Sequence, residues 1–99
     1  MEIKKEVNGN KAVIGLTGRL DTTTSPQLEA ELNELFETVN DIVFDFNGLE
    51  YISSAGLRVL LMSQKTMNKK SGEMVIVNAC QEIKEILDIT GFSDVLNIK

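Results

Sequence analysis

IVFDFNGLEYISSAGLRVLL, residues 42–61, decides how this chain folds. Ile42-Val43-Phe44-Asp45-Phe46 is short, β-branched and aromatic, as a buried strand is. Asn47-Gly48 breaks the run and Tyr51-Ile52 is apolar again. Ser53-Ser54-Ala55-Gly56 then leads into a helical pattern with Leu57, Leu60 and Leu61 on one face. Strand, loop and helix in this order set two hydroxyls where the first backbone N–H groups of a helix lack partners. One serine suffices as a cap. With Ser53 at the N-cap, Ser54 falls on the first helical position, its hydroxyl free to face solvent. Gly56 sits in the first turn, where glycine costs about 1 kcal/mol against alanine. It marks a place where something approaches the backbone closely or the turn must stay uncrowded.

Working outward, residues 2–7 alternate, Ile3 and Val7 against Glu2, Lys4 and Glu6, which predicts a half-exposed strand. Asn8-Gly9-Asn10 carries a hairpin signal, and residues 11–17 read as the returning, more interior strand. Residues 18–24 read as a loop. Ser25-Pro26 opens a helix, a capping residue before proline at the first helical position. Leu28, Leu32, Leu35, Phe36 and Val39 form its apolar stripe, and Glu29, Glu31, Glu34 and Glu37 a solvated face. Beyond the central stretch, the second helix extends to about Asn68, with Arg58, Met62, Lys65 and Lys69 on a second stripe beside Ser54. Lys69-Lys70-Ser71-Gly72 ends it. Residues 73–77 read as another buried strand, Ile83, Ile86 and Leu87, extending to Ile89, as the inner face of a last helix closed by Thr90-Gly91, and residues 95–98 as a short terminal strand. The order β-β-α-β-α-β-α-β predicts an α/β fold: one mixed sheet over residues 1–99, with helices packed against it and an antiparallel first hairpin.

Composition narrows the function. The chain has 99 residues, 42% apolar and 25% charged, enough for one core. No apolar run approaches a membrane span, and the N-terminus lacks the apolar core of a signal peptide. Its one cysteine, Cys80, cannot form an internal disulfide, which points to a reducing cytoplasm. A net charge of −5 offers no field to draw nucleic acid in. The chain contains no histidine, which removes His-based acid–base catalysis and His-ligated metals, and no phosphate-binding glycine loop occurs. The expectation is a non-enzymatic, cytoplasmic protein without a cofactor.

In open α/β sheets functional loops gather at the carboxyl ends of parallel strands. Residues 18–24 and 47–54 should share that edge, which brings Asp21, Thr22 and Thr23 near Ser53 and Ser54. Asp21 reads either as a turn residue or as a carboxylate that orients a serine hydroxyl or meets a basic residue of a partner. Lacking a base, Ser54 is better placed to receive a phosphate than to attack a substrate. A phosphate there would sit at the positive end of a helix dipole.

The pattern Gly18-Arg19-Leu20-Asp21, then a helix, then residues 42–61, then Gly72-Glu73-Met74-Val75-Ile76-Val77-Asn78, resembles the STAS domain of bacterial anti-sigma-factor antagonists over nearly the whole chain. In that family the serine two residues before the helix glycine is phosphorylated by an anti-sigma factor that is also a serine kinase of the histidine-kinase-like ATPase type. The resemblance puts that role on Ser54 and the family's loop aspartate on Asp21. Many members have aspartate where this chain has Ser53, and a second hydroxyl where it has Ala55. The resemblance implies a partner-binding surface of Asp21, Thr22, Thr23, Ser53, Ser54, Gly56 and Arg58. It implies release of the sigma factor by the dephosphorylated form, and resetting by a PP2C-type phosphatase. It further implies no contact with nucleic acid, no membrane insertion and a monomer when free. The rival readings are an unphosphorylated STAS scaffold subunit of a membrane transport complex and, more remotely, a small nucleotide-binding or hydrolytic protein.

Overall fold

A computed structural model describes all 99 residues. Its elements are β1 (Glu2–Asn8), β2 (Lys11–Leu20), α1 (Ser25–Leu35), β3 (Asp41–Ile52), α2 (Ser54–Lys69), β4 (Glu73–Val77) and α3 (Gln81–Ile89), then a single 3-10 turn at Phe92–Asp94. The sheet order is β1-β2-β3-β4, with β1 antiparallel to β2 and the β2–β3 and β3–β4 pairs parallel.

Alternation along the inner strands decides which face is covered. Ile14, Phe44 and Ile76 lie side by side in register, as do Ala12, Ile42 and Met74, and all six are buried. They share one core with Leu28, Leu32 and Leu35 of α1, Leu57, Leu60 and Met67 of α2, and Ile83 and Leu87 of α3. The intervening Val13, Val43 and Val75 are half-buried on the opposite, uncovered face. No helix is long and apolar enough to cross a membrane.

Four boundaries differ from the expectation. β3 does not stop at Phe46 but continues through Asn47-Gly48 to Ile52, and β2 continues to Leu20. Two register shifts, between Gly15 and Thr17 and between Gly18 and Arg19, each take one extra residue of β3 without ending the pairing. Gly48 is therefore a bulge residue: a Cβ there would stand 2.7 Å from Thr17 Oγ1. Thr24, not Ser25, holds the N-cap position of the first helix, with no capping bond from its side chain, while the Ser25 hydroxyl, buried inside the first turn, donates to the Asp21 carbonyl at 2.6 Å. The terminal strand shrinks to one bridge. Ile98 lies parallel to Ile76, whose N–H donates to the Asn97 carbonyl and whose carbonyl accepts from the Lys99 N–H, both at 2.9 Å. Phe92–Asp94 spends the preceding residues on a turn, and of this tail Leu96 is buried while Val95 is exposed.

The far ends of α1 and α2 are tied by a cation. Lys70, just past α2, donates from Nζ to the carbonyls of Phe36, the C-cap of α1, and, at 2.6 Å, of Val39 in the turn that follows. Lys70→Met should therefore cost about 1–2 kcal/mol, seen as a fall of at least about 4 °C in Tm. An unchanged Tm would show that these bonds contribute nothing net.

Candidate functional site

The parallel strands β2 and β3 end side by side. Leu20 pairs with Ile52, and one residue on the Ser53 N–H donates to the Leu20 carbonyl at 2.9 Å. From this point one chain turns into α1 through Asp21 and the other into α2 through Ser53. Asp21, Thr22, Thr23, Ser53 and Ser54 thus gather at one edge, as the order of elements predicts.

The Asp21 loop folds on its own carboxylate. Oδ1 accepts from the Thr23 hydroxyl at 2.7 Å, the Thr23 N–H at 3.0 Å and the Thr24 N–H at 3.2 Å, and Thr24 Oγ1 lies 3.3 Å away. The Thr23 hydroxyl above all holds this carboxyl below its usual value; burial opposes it, and the Thr23 and Thr24 N–H groups add smaller support. Asp21 is a turn residue on its Oδ1 side. Oδ2 has only Arg19 Nε, 3.9 Å away. The Arg19 guanidinium lies 4.2 Å over the ring of Tyr51, its neighbour across β2 and β3. Arg19 and Tyr51 join the site through this contact. The sequence hid them because the loop was expected to begin at Gly18, and only the extra β3 residue puts the two opposite each other.

The two serines are unequal. Ser53 is extended (φ −97°, ψ 176°), half-buried, and accepts the Gly56 N–H on its Oγ at 3.4 Å as the N-cap. Ser54 is the first residue of α2, exposed, and its hydroxyl has no hydrogen bond. Gly56 is corrected: it is buried and offers no surface to a partner. A Cβ there would come within 2.7 Å of Leu20 Cγ and 2.9 Å of Ile52 Cγ1. What approaches its backbone is the chain's own pair of strand ends.

Between the starts of α1 and α2 lies a groove of about 270 Å³, lined by Thr22, Pro26, Glu29, Ala55, Arg58 and Met62 among others. It joins Thr22 of the first loop to Arg58 of α2. Met62, one turn beyond Arg58, completes it, while Lys65 and Lys69 of the same stripe do not line it. No three acidic or cysteine side chains are grouped to hold a metal ion.

The sequence profile of the STAS domain matches residues 2–99. The chain belongs to the STAS domain family. BtrV of Bordetella bronchiseptica, a candidate anti-sigma factor antagonist, is 34% identical over 84 residues, covering 84% of this chain and 72% of BtrV. The anti-sigma F factor antagonist of Paenibacillus polymyxa is 27% identical over 100 residues, covering 99% and 86%. Among solved structures, the antagonist SpoIIAA in its unphosphorylated form superposes with a TM-score of 0.82 at 20% identity, over 99% of this chain and 87% of that one. SLC26A9 matches at 14% identity with a TM-score of 0.75, over 88% of this chain but 17% of its own. Both structural matches establish the shared STAS fold.

The packing role of Gly56 has a direct consequence. Gly56→Ala should lower stability by about 1–3 kcal/mol, because overpacking against Leu20 and Ile52 outweighs the gain in helix propensity. Ser54→Ala, on the exposed side of the same turn, should stay within about 0.5 kcal/mol of the parent. Urea titrations compare the two, and equal midpoints would contradict the packing account.

Proposed function

We propose that this chain is an anti-sigma factor antagonist, working by reversible binding and switched by phosphate on Ser54. The observation that carries the reading is the division of labour between the serines: Ser53 is spent on the cap, and Ser54 is exposed and unbonded beside the groove. The family membership and the names of the relatives support it. In this reading the partner is an anti-sigma factor with serine kinase activity, of the histidine-kinase-like ATPase type. It binds the unphosphorylated surface of Asp21, Thr22, Thr23, Ser54 and Arg58 and thereby gives up its sigma factor. A PP2C-type phosphatase resets the switch. The chain itself performs no catalysis.

A phosphate on Ser54 adds about −1.5 to −2 charges to a surface that already carries the Asp21 carboxylate. The start of α2 favours an anion, so the helix gains rather than melts. Arg58 stands one turn on, at the i+4 position, where oppositely charged side chains attract on a helix surface. The phosphate would draw its guanidinium from the groove and leave Thr22, Glu29 and Met62 without their cation. The scaffold alternative asks for none of these features, and both sequence relatives carry the name of antagonists.

Incubation with the cognate kinase and ATP should give one phosphate, mapped by mass spectrometry to Ser54. Ser54→Ala should abolish labelling and retain kinase binding. Ser54→Asp should weaken binding by about tenfold or more, since a like charge against an interface costs several kcal/mol. Labelling that moves to Ser53, or binding that Ser54→Asp leaves intact, would overturn the proposal.

A further inference from the structure

The open edge of β1 is the largest unpaired stretch of the sheet, since β4 at the other side is met by Ile98. Its sequence, EIKKEVN, is exposed at every position but Ile3. Charged edge strands commonly keep other chains away. The backbone geometry and the order of charges here point the other way.

The hairpin decides which backbone groups are free. Gly9 (φ +61°) and Asn10 form a two-residue loop, so the flanking Asn8 and Lys11 are a hydrogen-bonded pair. Alternation along an antiparallel ladder then makes Glu6–Val13, Lys4–Gly15 and Glu2–Thr17 bonded pairs too. Ile3, Lys5 and Val7 accordingly turn their N–H and C=O groups outward, to the open edge. Their side chains lie on the helix-covered face, where Lys5 forms an ion pair with Glu31 of α1. Lys4 and Glu6 lie on the uncovered face.

We propose that this edge pairs with the β1 strand of a second copy of the chain, antiparallel about a two-fold axis at Lys5, in place of the free monomer expected from sequence. That register bonds Ile3 to Val7, Lys5 to Lys5 and Val7 to Ile3, using every outward-facing group between residues 3 and 7. It sets Lys4 of each copy opposite Glu6 of the other, in the non-bonded pairs where side chains approach most closely. It also lays Ile3 of one copy beside Val7 of the other, a valine left 50% exposed in the single chain. The like charges on the axis are each neutralised by their own Glu31, with Glu34 attracting as well. Other registers do worse. Moving the axis by one residue keeps outward groups opposite one another but sets Lys4 against Lys4 or Glu6 against Glu6 on it, like charges in the closest pairs. An axis on Ile3 leaves Val7 unpaired, and an axis on Val7 sets Lys5 against the turn residue Gly9.

One strand makes a small interface, so the association should be weak and should loosen with salt. Sedimentation equilibrium, carried to roughly millimolar chain where such contacts populate, should find a monomer–dimer equilibrium. Lys4→Glu and Glu6→Lys each convert two attractive cross-strand pairs into two repulsive ones, and each should lower the association constant about tenfold. An equimolar mixture of the two variants, or the double variant, should restore it, since either arrangement again opposes unlike charges. Both side chains are exposed, and circular dichroism checks that the variants fold. A parent that stays monomeric, single variants that associate as tightly as the parent, or a mixture that fails to recover would each overturn the proposal.

Discussion

The structure turns on the closure of β2 against β3 at their carboxyl ends. There Leu20 pairs with Ile52 and the Ser53 N–H bonds the Leu20 carbonyl. Leu20 and Ile52 are buried together beneath the first turn of α2, and Gly56 is the residue that lets the helix come so close. That contact fixes where α2 begins, and so which serine caps it and which faces water. It also fixes where β2 lets go, which sets the Asp21 loop beside the serines. A different ending of either strand would rotate α2 and present another pair of hydroxyls.

The site inherits rigidity from this closure. Asp21 accepts four hydrogen bonds or close contacts on Oδ1 from Thr23 and Thr24, and Ser25 bonds its carbonyl, so the loop is ordered by its own side chains. Its carboxyl is ionised at neutral pH as any aspartate is, and the lowering extends that charge further toward acid. Surface chemistry added at Ser54 therefore meets a fixed frame, which suits a protein read by shape and charge more than one that must rearrange.

Much of this was legible in the sequence. The strand–serine–helix order of residues 42–61 placed Ser53 and Ser54 correctly, because capping is decided within one turn of the chain. The shared carboxyl edge followed from the order of elements alone. What stayed hidden depends on contacts between segments. Asn47-Gly48 looks like the end of a strand, and only the facing Thr17 reveals it as a bulge. Gly56 announced a close approach without saying from which side. The residues after Gly91 had strand composition, but their pairing with β4 reduces to Ile98, a matter of edge geometry that alternation cannot encode.

The central claim is that phosphate on Ser54 changes a surface and leaves the fold standing. Backbone amide spectra of the free chain and of its Ser54-phosphorylated form test it most directly. The account predicts shifts confined to Asp21–Thr24, the first two turns of α2 and the residues facing the groove, with the amides of the four strands otherwise unmoved. Shifts spreading through Phe44, Ile76 and the helix-covered face, or loss of the α2 signals, would contradict it.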